Sequence, residues 1–316
     1  MTRVAVLMGG RSSEHDVSVA SAESVVAALR ERGHDVVTVE LARGRSWLPD
    51  ASTASALTAA EVVFPVLHGP FGEDGSVQGL LELAGVAYVG AGVTASALAM
   101  DKDLFKSVLR DHGIPVTRNV TLRAGTATEN PFGYPVFVKP ARLGSSVGIS
   151  KAHDDAELQR AVALAFEHDE KVLVEEFVSG IEVEVGVLGN DDPTVSLPGE
   201  IVVTNNEWYD YEAKYDEGEM DLVVPPRVSA AQIERVRNLA RAAFVAAECE
   251  GMARVDMFVR DDGEVLVNEL NTIPGFTSTS VYAKLFEASG VPYGELLERL
   301  CALALERHAR RASLRF

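Results

Sequence analysis

The chain opens with alternating strand and helix patterns, and this alternation restricts the fold more than any other feature. Apolar, β-branched runs predict strands at residues 3–8, 35–41 and 62–67. Apolar residues at helical spacing predict a helix at 17–30. Such βαβ units predict a parallel sheet with helices on its faces. Because ligands of these sheets bind beyond the carboxyl ends of the strands, the turns at Gly9-Gly10 and His68-Gly69 are predicted to line a site.

The pattern changes after a predicted linker at Gly90-Ala91-Gly92. Predicted strands follow at 116–122, 136–139, 172–177, 182–188, 195–203, 221–224, 255–259 and 265–270, and predicted helices at 101–112, 155–167 and 230–247. This order is typical of α+β domains. We predict a multi-domain chain of α/β and α+β class: an N-terminal α/β domain over 1–96, a small domain over 97–179 and a third over 180–316.

The charge balance excludes several classes of function. The formal net charge of the 316 residues is -18, which disfavours a nucleic-acid or anionic-membrane partner. No signal-peptide pattern follows Met1, and no apolar run approaches the ~20 residues that span a bilayer, so a cytoplasmic protein is predicted. Cys249 and Cys301 have no metal-site spacing and are predicted to be buried thiols.

Two neighbouring strand patterns carry a set of oxygen ligands. Arg254 and Asp256 lie on one of them, and Glu269 and Asn271 lie on the other. Residues two apart on a strand share a face, so adjacent strands would present two carboxylates and an amide together. This donor set suits Mg²⁺, which prefers oxygen ligands. The alternative is a solvated, charged strand face, although the apolar neighbours of Glu269 disfavour it.

A second motif joins Lys139-Pro140 to a loop, Gly144-Ser145-Ser146-Val147-Gly148. A strand that delivers a lysine before a loop with free backbone N–H groups is suited to phosphate oxygens. The lysine precedes the glycines, so this is not a P-loop. A simple β-hairpin turn is the alternative.

Two further segments are candidate ligand contacts. The run from Tyr209 to Tyr215 is dense in charge and aromatic groups and predicts a lid that excludes water, with a tyrosine-anchored surface loop as the alternative. The turn from Gly9 to Asp16 leads into a helix whose N-terminus favours an anion, while Glu14 could bind an ammonium group. Helix N-capping by Ser13 or Asp16 is predicted there as well.

Together these segments resemble the D-alanine–D-alanine ligases, an ATP-grasp family. The matching stretches are GGRSSEHDVS, LHGPFGEDGSVQGLLE, MDKDLFK, VKPARLGSSVGISK, VEEFVSGIEVEVGVLG, YDYEAKY, ARVDMF and NELNTIPGFTSTS. They occur in the family's order from residue 9 to residue 280, so the resemblance covers nearly the whole chain. It implies a pre-ATP-grasp domain followed by a two-lobed ATP-grasp fold, with ATP held between the lobes.

The resemblance also assigns the ligand contacts. It implies two Mg²⁺ ions, with Mn²⁺ as a possible substitute, bound by Asp256, Glu269 and Asn271, with Glu269 bridging them. It assigns ATP contacts to Lys102, Lys139, Ser146, Glu175, Glu182 and Lys214. It assigns substrate contacts to His68, Ser280 and Val281. It assigns catalytic roles to Glu14, Ser145, Tyr215, Arg254 and the backbone N–H of Gly275.

The implied reaction is ATP-dependent ligation of two D-alanine molecules through an acyl phosphate, as a step of peptidoglycan precursor synthesis. A tyrosine at position 215 favours D-alanyl-D-alanine over D-alanyl-D-lactate, and a homodimer formed through the first domain is expected. The alternatives are an ATP-grasp ligase with other substrates and a non-catalytic nucleotide-binding module. An NAD-dependent oxidoreductase is disfavoured because Met8-Gly9-Gly10-Arg11 lacks the G-x-G-x-x-G spacing.

Overall fold

The computed structural model describes residues 1–44, 49–144, 147–203 and 220–315. Several predicted functional positions lie outside these ranges, namely Ser145, Ser146, the segment from Tyr209 to Tyr215, and within it Lys214 and Tyr215.

The first part of the chain forms a parallel sheet, as predicted. Its strands are β1 (Arg3–Gly9), β2 (Asp35–Leu41), β3 (Val62–Pro65) and β4 (Ala87–Tyr88), in the order β2-β1-β3-β4. Its helices are α1 (His15–Glu31), α2 (Ala51–Ala59), α3 (Ser76–Ala84) and α4 (Val93–Met100). The capping prediction for α1 is wrong, because Glu14 occupies the N-cap and no side chain caps the helix. Asp16 lies in the first turn and pairs with Arg43 instead.

A second sheet is antiparallel. Its strands are β5 (Asn119–Arg123), β6 (Val136–Pro140), β7 (Ser150–Ala152) and β8 (Lys171–Glu176), in the order β5-β8-β6-β7. Helix α5 (Lys102–Asp111) precedes it, and helix α6 (Asp155–Phe166) packs its apolar face on the sheet. The strand predicted to begin at Val116 begins later, at Asn119. Val116 forms an isolated bridge with Val267 of the third sheet, so the chain crosses between sheets there.

The third sheet is also antiparallel. Its strands are β9 (Gly180–Gly189), β10 (Thr194–Val195), β11 (Gly199–Val203), β12 (Met220–Val223), β13 (Gly251–Arg260) and β14 (Val265–Asn271). Their order is β12-β11-β9-β13-β14, with β10 paired to β9. The single strand predicted over 195–203 is wrong. Pro198 has no N–H to donate to a ladder, and the backbone N–H of Leu197 is bonded instead to the Ser289 hydroxyl.

The two faces of the third sheet have different roles. Alternate residues, among them Val183, Val185 and Met257, are buried against helix α7 (Ala230–Ala246). The opposite face carries the charged residues of β9, β13 and β14. Near Gly186 this face is covered by helix α8 (Val281–Ala288), because a Cβ at Gly186 would come within 2.6 Å of the Phe286 ring. Towards the start of β9 the face is therefore left for polar side chains.

An aromatic cluster joins the first sheet to the last part of the chain. It consists of Phe64, Phe276, Tyr282, Phe286 and Tyr293, with neighbouring rings 5.0–6.2 Å apart. Helix α9 (Tyr293–Ala312) packs on the same core. This packing places the loop at 272–280 over the carboxyl ends of the parallel strands. Among the described helices, none is long and apolar enough to cross a membrane.

Candidate active site

A cavity of about 500 Å³ lies where the first and third sheets meet. The predicted site residues that line it are Glu14, His68, Arg254, Glu269, Asn271, Gly275, Ser280 and Val281. These side chains come from positions up to 267 residues apart in the chain (281 − 14). The fold therefore brings the predicted substrate, oxyanion and metal groups to one place.

The predicted metal ligands lie on paired strands. Asp256 of β13 is directly opposite Glu269 of β14, and Arg254 is opposite Asn271. Asn271 Nδ2 donates to Asp256 Oδ2 at 2.9 Å. Arg254 donates twice to Asp256, with both distances 2.7 Å. The shared strand face that the sequence predicts is present.

Glu184 is a member of this cluster that the sequence reasoning missed. It lies on β9 directly opposite Asp256, on the side away from Glu269, so the three carboxylates form a row across three strands. Glu184 is 1% exposed, and its Oε2 lies 2.9 Å from Arg254 Nε. Its position two residues after Glu182, on the same strand face, was the signal available in the sequence.

The donor set suits a magnesium ion because it combines carboxylates with an amide. It is not a cluster of acidic, histidine and cysteine side chains alone, since no three of those are grouped to hold a metal in the described ranges. Asp256, Glu269 and Asn271 supply two carboxylates and one amide, which are the hard oxygen ligands that Mg²⁺ takes while it keeps waters or phosphate oxygens. A one-residue bulge at Asn268, where the ladder shifts between Asp256 and Met257, adjoins this set.

Lys102 reaches the acidic row from the first turn of α5. Its Nζ donates to the Leu143 carbonyl at 2.7 Å and lies 3.5 Å from Glu269 Oε2. The helix start is fixed by Asp101, whose carboxylate caps Leu104 N at 3.1 Å and binds Lys171 Nζ at 2.7 Å. The predicted phosphate lysine is thus held beside a predicted metal ligand.

Lys139, Glu175 and Lys106 form a second, more deeply buried ion cluster. Lys139 Nζ is paired with Glu175 Oε2 and lies 3.3 Å from Asn268 Oδ1. Lys106 is 0% exposed, is paired with Glu175 Oε1 and donates to Thr117 Oγ1 at 2.5 Å. Burial lowers the pKa of Lys106 to about 8, although the Glu175 charge acts in the opposite direction.

The carboxyl group of Glu175 stays ionised in this cluster. Burial raises its pKa, but the charges and hydrogen bonds of Lys106 and Lys139 outweigh that effect and lower it. Lys106 was not a predicted site residue, since a lysine on a helix gives no sign of its burial. Glu182, a predicted ATP contact, lies on β9 opposite Phe258, and the structure does not place it in this cluster.

Glu14 and His68 line the other end of the cavity. The Glu14 carboxylate lies under the turn at Gly69, where a Cβ would come within 2.5 Å of Glu14 Oε2. Gly69 also has a φ of +72°, so two constraints favour glycine there. His68 Nδ1 contacts the Ile273 carbonyl at 2.9 Å, and its Nε2 has no hydrogen-bond partner among the described residues. Burial lowers the pKa of His68, so the ring is neutral at pH 7.

Glu73 is a second missed residue in this part of the cavity. Its carboxyl group accepts from the backbone N–H of Gly69 at 2.7 Å and of Ile273 at 3.0 Å. Burial, together with the negative charge of Glu14, raises the pKa of Glu73 to about 8. Glu73 therefore carries a proton at neutral pH.

Gly275, Ser280 and Val281 close the cavity beside the start of α8. Ser280 occupies the N-cap, and its Oγ accepts from Thr277 N at 3.0 Å. A Cβ at Gly275 would lie 3.3 Å from Ser280 Oγ, so a side chain there would crowd the loop. A helix N-terminus with a serine hydroxyl favours a carboxylate ligand.

The described residues therefore combine three chemical capabilities. In the acidic row of Glu184, Asp256 and Glu269, the last two supply oxygen ligands for a divalent cation together with Asn271. Lys102, Lys139 and Arg254 are cations beside that row, positioned for negative charge that develops on oxygen. Glu14 and the start of α8 suit the opposite ends of amino-acid substrates.

Two family models match the chain. The model described as "D-ala D-ala ligase C-terminus" matches residues 108–302, and "D-ala D-ala ligase N-terminus" matches 3–60 and 48–91. Together they span most of the chain, including both ends of the cavity.

Individual relatives agree with these matches. The D-alanine–D-alanine ligase of Deinococcus radiodurans is 47% identical, over 96% of this chain and 98% of its own. That of Geobacillus thermodenitrificans is 43% identical, over 97% and 96%. Among solved structures, the D-alanine–D-alanine ligase from Coxiella burnetii has a TM-score of 0.86 at 36% identity, covering 98% of this chain and 96% of that one. The VanG D-Ala:D-Ser ligase from Enterococcus faecalis has a TM-score of 0.84 at 35% identity, covering 96% and 99%.

Proposed function

The chain belongs to the D-alanine–D-alanine ligase family, and on that premise we propose that it joins two D-alanine molecules with ATP through an acyl phosphate. One observation carries the proposal. The Arg254–Asp256–Glu269 cluster, with Asn271, meets the Glu14–His68 end of the substrate site within one cavity. A nucleotide's terminal phosphate bound at the Arg254–Asp256–Glu269 cluster can reach an amino-acid carboxylate held at the Glu14–His68 end.

The first step makes the carboxylate a good acyl donor. The carboxylate oxygen of the first D-alanine attacks the terminal phosphorus of ATP, and ADP leaves. Lys102 and Lys139 neutralise the phosphate oxygens, and Asp256, Glu269 and Asn271 would hold Mg²⁺. When bound, Mg²⁺ supplies further positive charge to the transferring phosphoryl group. We propose two Mg²⁺ ions at this site, with Mn²⁺ as a possible substitute.

The second step forms the peptide bond. The neutral amine of the second D-alanine attacks the acyl carbon to give a tetrahedral intermediate, the bond from that carbon to the phosphate oxygen breaks, and the proton lost from nitrogen leaves with the phosphate. Arg254 and the Gly275 N–H stabilise the negative oxygen of that intermediate. Arg254 is suited to this role because contacts with two carboxylates, Glu184 and Asp256, hold its guanidinium in place.

Substrate recognition follows from the charges at the cavity ends. Glu14 binds the ammonium of the first D-alanine, beside the neutral ring of His68. Ser280 and Val281, at the start of α8, bind the carboxylate of the second D-alanine. Ser145, Ser146, Lys214 and Tyr215 complete the loop and lid in this proposal. Glu175 and Glu182 contact the adenine and ribose.

Phosphate release from ATP tests the proposal. Release should require D-alanine, should be low with L-alanine, and should cease when EDTA removes Mg²⁺. Mass spectrometry should identify D-alanyl-D-alanine as the product. Equal turnover of L-alanine, or ATP binding without any turnover, would refute the proposed reaction.

A second candidate differs in the second substrate. The structural match to a D-Ala:D-Ser ligase favours D-serine as an alternative acceptor. A competition assay with equal D-alanine and D-serine distinguishes the two by the mass of the product. D-lactate is included in the same assay, and mainly depsipeptide near pH 7 would contradict the preference inferred from Tyr215.

The cellular setting belongs to the same proposal. A dipeptide of D-alanine is a peptidoglycan precursor, and its synthesis from ATP would take place in the cytoplasm. A homodimer formed through the first domain, and domain boundaries near residues 96 and 179, follow from the family resemblance. Sedimentation of the purified chain tests the dimer.

A further inference from the structure

Lys106 is a fully buried lysine that the proposed reaction does not use. It lies one helical turn after Lys102 on α5, so the two side chains leave the same face of the helix. Lys102 reaches the acidic row, whereas Lys106 is 0% exposed and contacts Glu175 and Thr117. A fully buried lysine has a high desolvation cost, so it requires a compensating partner.

The two oxygens of Glu175 are shared between two lysines. Oε1 is paired with Lys106 and Oε2 is paired with Lys139. The two lysines differ in their surroundings. Lys139 also reaches Asn268 on β14, next to the predicted metal ligands, whereas Lys106 is fully buried and contacts Glu175 and Thr117. Only Lys139 of this pair is placed to turn towards a phosphate.

A phosphate that binds Lys139 competes with Glu175 for the same ammonium group. If Lys139 were the sole cation beside Glu175, its departure would leave a buried, uncompensated carboxylate. Glu175 would then hold Lys139 back from the nucleotide. With Lys106 in place, Glu175 keeps one cation after Lys139 turns away.

We infer that Lys106 is a positioning residue that keeps the Glu175 carboxylate compensated, so that Lys139 can leave it and bind the ATP phosphates. The inference rests on the proposed ATP site. It assigns Lys106 no contact with ATP, D-alanine or metal. It predicts that loss of the Lys106 charge weakens binding of the phosphates more than binding of the nucleoside, which Glu175 itself contacts in the proposed site.

The experiment compares ATP with adenosine as ligands of the full chain in Mg²⁺, by titration calorimetry. The variants are Lys106→Met, Glu175→Gln and the double variant. Lys284→Met, the same change on the exposed face of α8, is the control. Lys106→Met should weaken ATP binding by about 10- to 100-fold, as for loss of one charge-assisted contact, and adenosine binding by less than about threefold.

Glu175→Gln supplies the readout that a merely structural role would not change. Once residue 175 is neutral, it no longer retains Lys139, so Lys106 has nothing to compensate. The double variant should then have the same ATP-to-adenosine affinity ratio as Glu175→Gln alone. Equal losses of ATP and adenosine affinity in Lys106→Met, or losses that multiply in the double variant, would overturn the inference.

The design remains decisive if Lys106→Met does not fold. The double variant replaces both members of the Lys106–Glu175 pair with neutral side chains and leaves Lys139 in the same surroundings as Glu175→Gln does, so the two variants can be compared directly. A tenfold lower ATP-to-adenosine ratio in the double variant would also overturn the inference. Failure of the unmodified chain to bind ATP would instead refute the proposed function, so the two failures are distinguishable.

Discussion

The two ends of the active site balance their charges in different ways. At the nucleotide end, cations and carboxylates alternate: Lys102 beside Glu269, Lys139 beside Glu175, and Arg254 beside Asp256. At the amino-acid end, Glu14 and Glu73 lie near each other beside a neutral His68, and Glu73 is bonded to backbone N–H groups.

This difference separates two modes of ligand binding. In the proposed function, phosphates and metal would replace partners that are already present at the nucleotide end, so binding would exchange one set of ion pairs for another. At the amino-acid end, burial and then the negative charge of Glu14 raise the pKa of Glu73 to about 8. That excess of negative potential suits an incoming ammonium group. Substitutions of Arg254, Glu14 and Glu73 test this difference.

Arg254→Ala tests the point where the two ends meet. Loss of one oxyanion donor should lower kcat by about 10²–10³-fold. Steady-state kinetics measures this, with Arg260→Ala near the exposed end of the same strand as a control. Arg254→Lys keeps a cation beside buried Glu184, so the variant should still fold. A low kcat in Arg254→Lys would then report loss of the guanidinium donor and not loss of the fold. A near-normal kcat in Arg254→Ala would contradict the assigned role.

Glu14→Gln tests the amino-acid end alone. It removes the charge but keeps the size of the side chain, so KM for the first D-alanine should rise by about 10- to 100-fold, the range for a hydrogen bond to a charged group. KM for ATP should change little. Initial rates over D-alanine and ATP concentrations measure both, and Glu23→Gln on the exposed face of α1 is the matched control. Equal rises for both substrates would show that the two ends are not separate.

Glu73→Gln tests the charge balance through stability. In the folded chain Glu73 keeps its proton up to about pH 8, whereas its ordinary pKa is 4.5. The folded state therefore binds an additional proton between these values. The proton on Glu73 therefore contributes its full stabilisation below the ordinary pKa of 4.5. That stabilisation is lost as the pH rises through the raised pKa of about 8.

The measurement is thermal unfolding at about pH 5 and about pH 9, where linkage predicts the largest difference. The unmodified chain should lose more stability at the higher pH than Glu73→Gln, which has no carboxyl proton to lose. Glu23→Gln serves again as the control. The same pH dependence in Glu73→Gln and the unmodified chain would show that Glu73 does not carry the proton.

The sequence predicted the parts of the site that depend on local periodicity. Alternation along two strands was sufficient to place Asp256, Glu269 and Asn271 on one face, and the structure confirms that placement. The βαβ pattern likewise predicted the parallel sheet. Both inferences use residues that are close in sequence, where the period of a strand or helix decides direction.

Residues whose roles depend on distant partners were missed. Glu73 bonds to Ile273, 200 residues away, and Lys106 pairs with Glu175, 69 residues away. Helices α2 and α4 were missed because small residues dominate them and give little amphipathic contrast. The strand predicted over 195–203 failed because its apolar run contains Pro198. The predictions for Ser145, Ser146, Lys214 and Tyr215 fall outside the described residues.

Ile273 attaches the segment after β14 to the amino-acid end through two backbone contacts: its carbonyl contacts His68, and its N–H donates to Glu73. A chimera that exchanges the 68–73 loop with a relative, in order to alter substrate choice, would also exchange both of these contacts. The 68–73 loop and the segment after β14 therefore need to be exchanged together. Grafting the two segments together should keep both contacts, whereas grafting either one alone would pair a new segment with an unmatched partner.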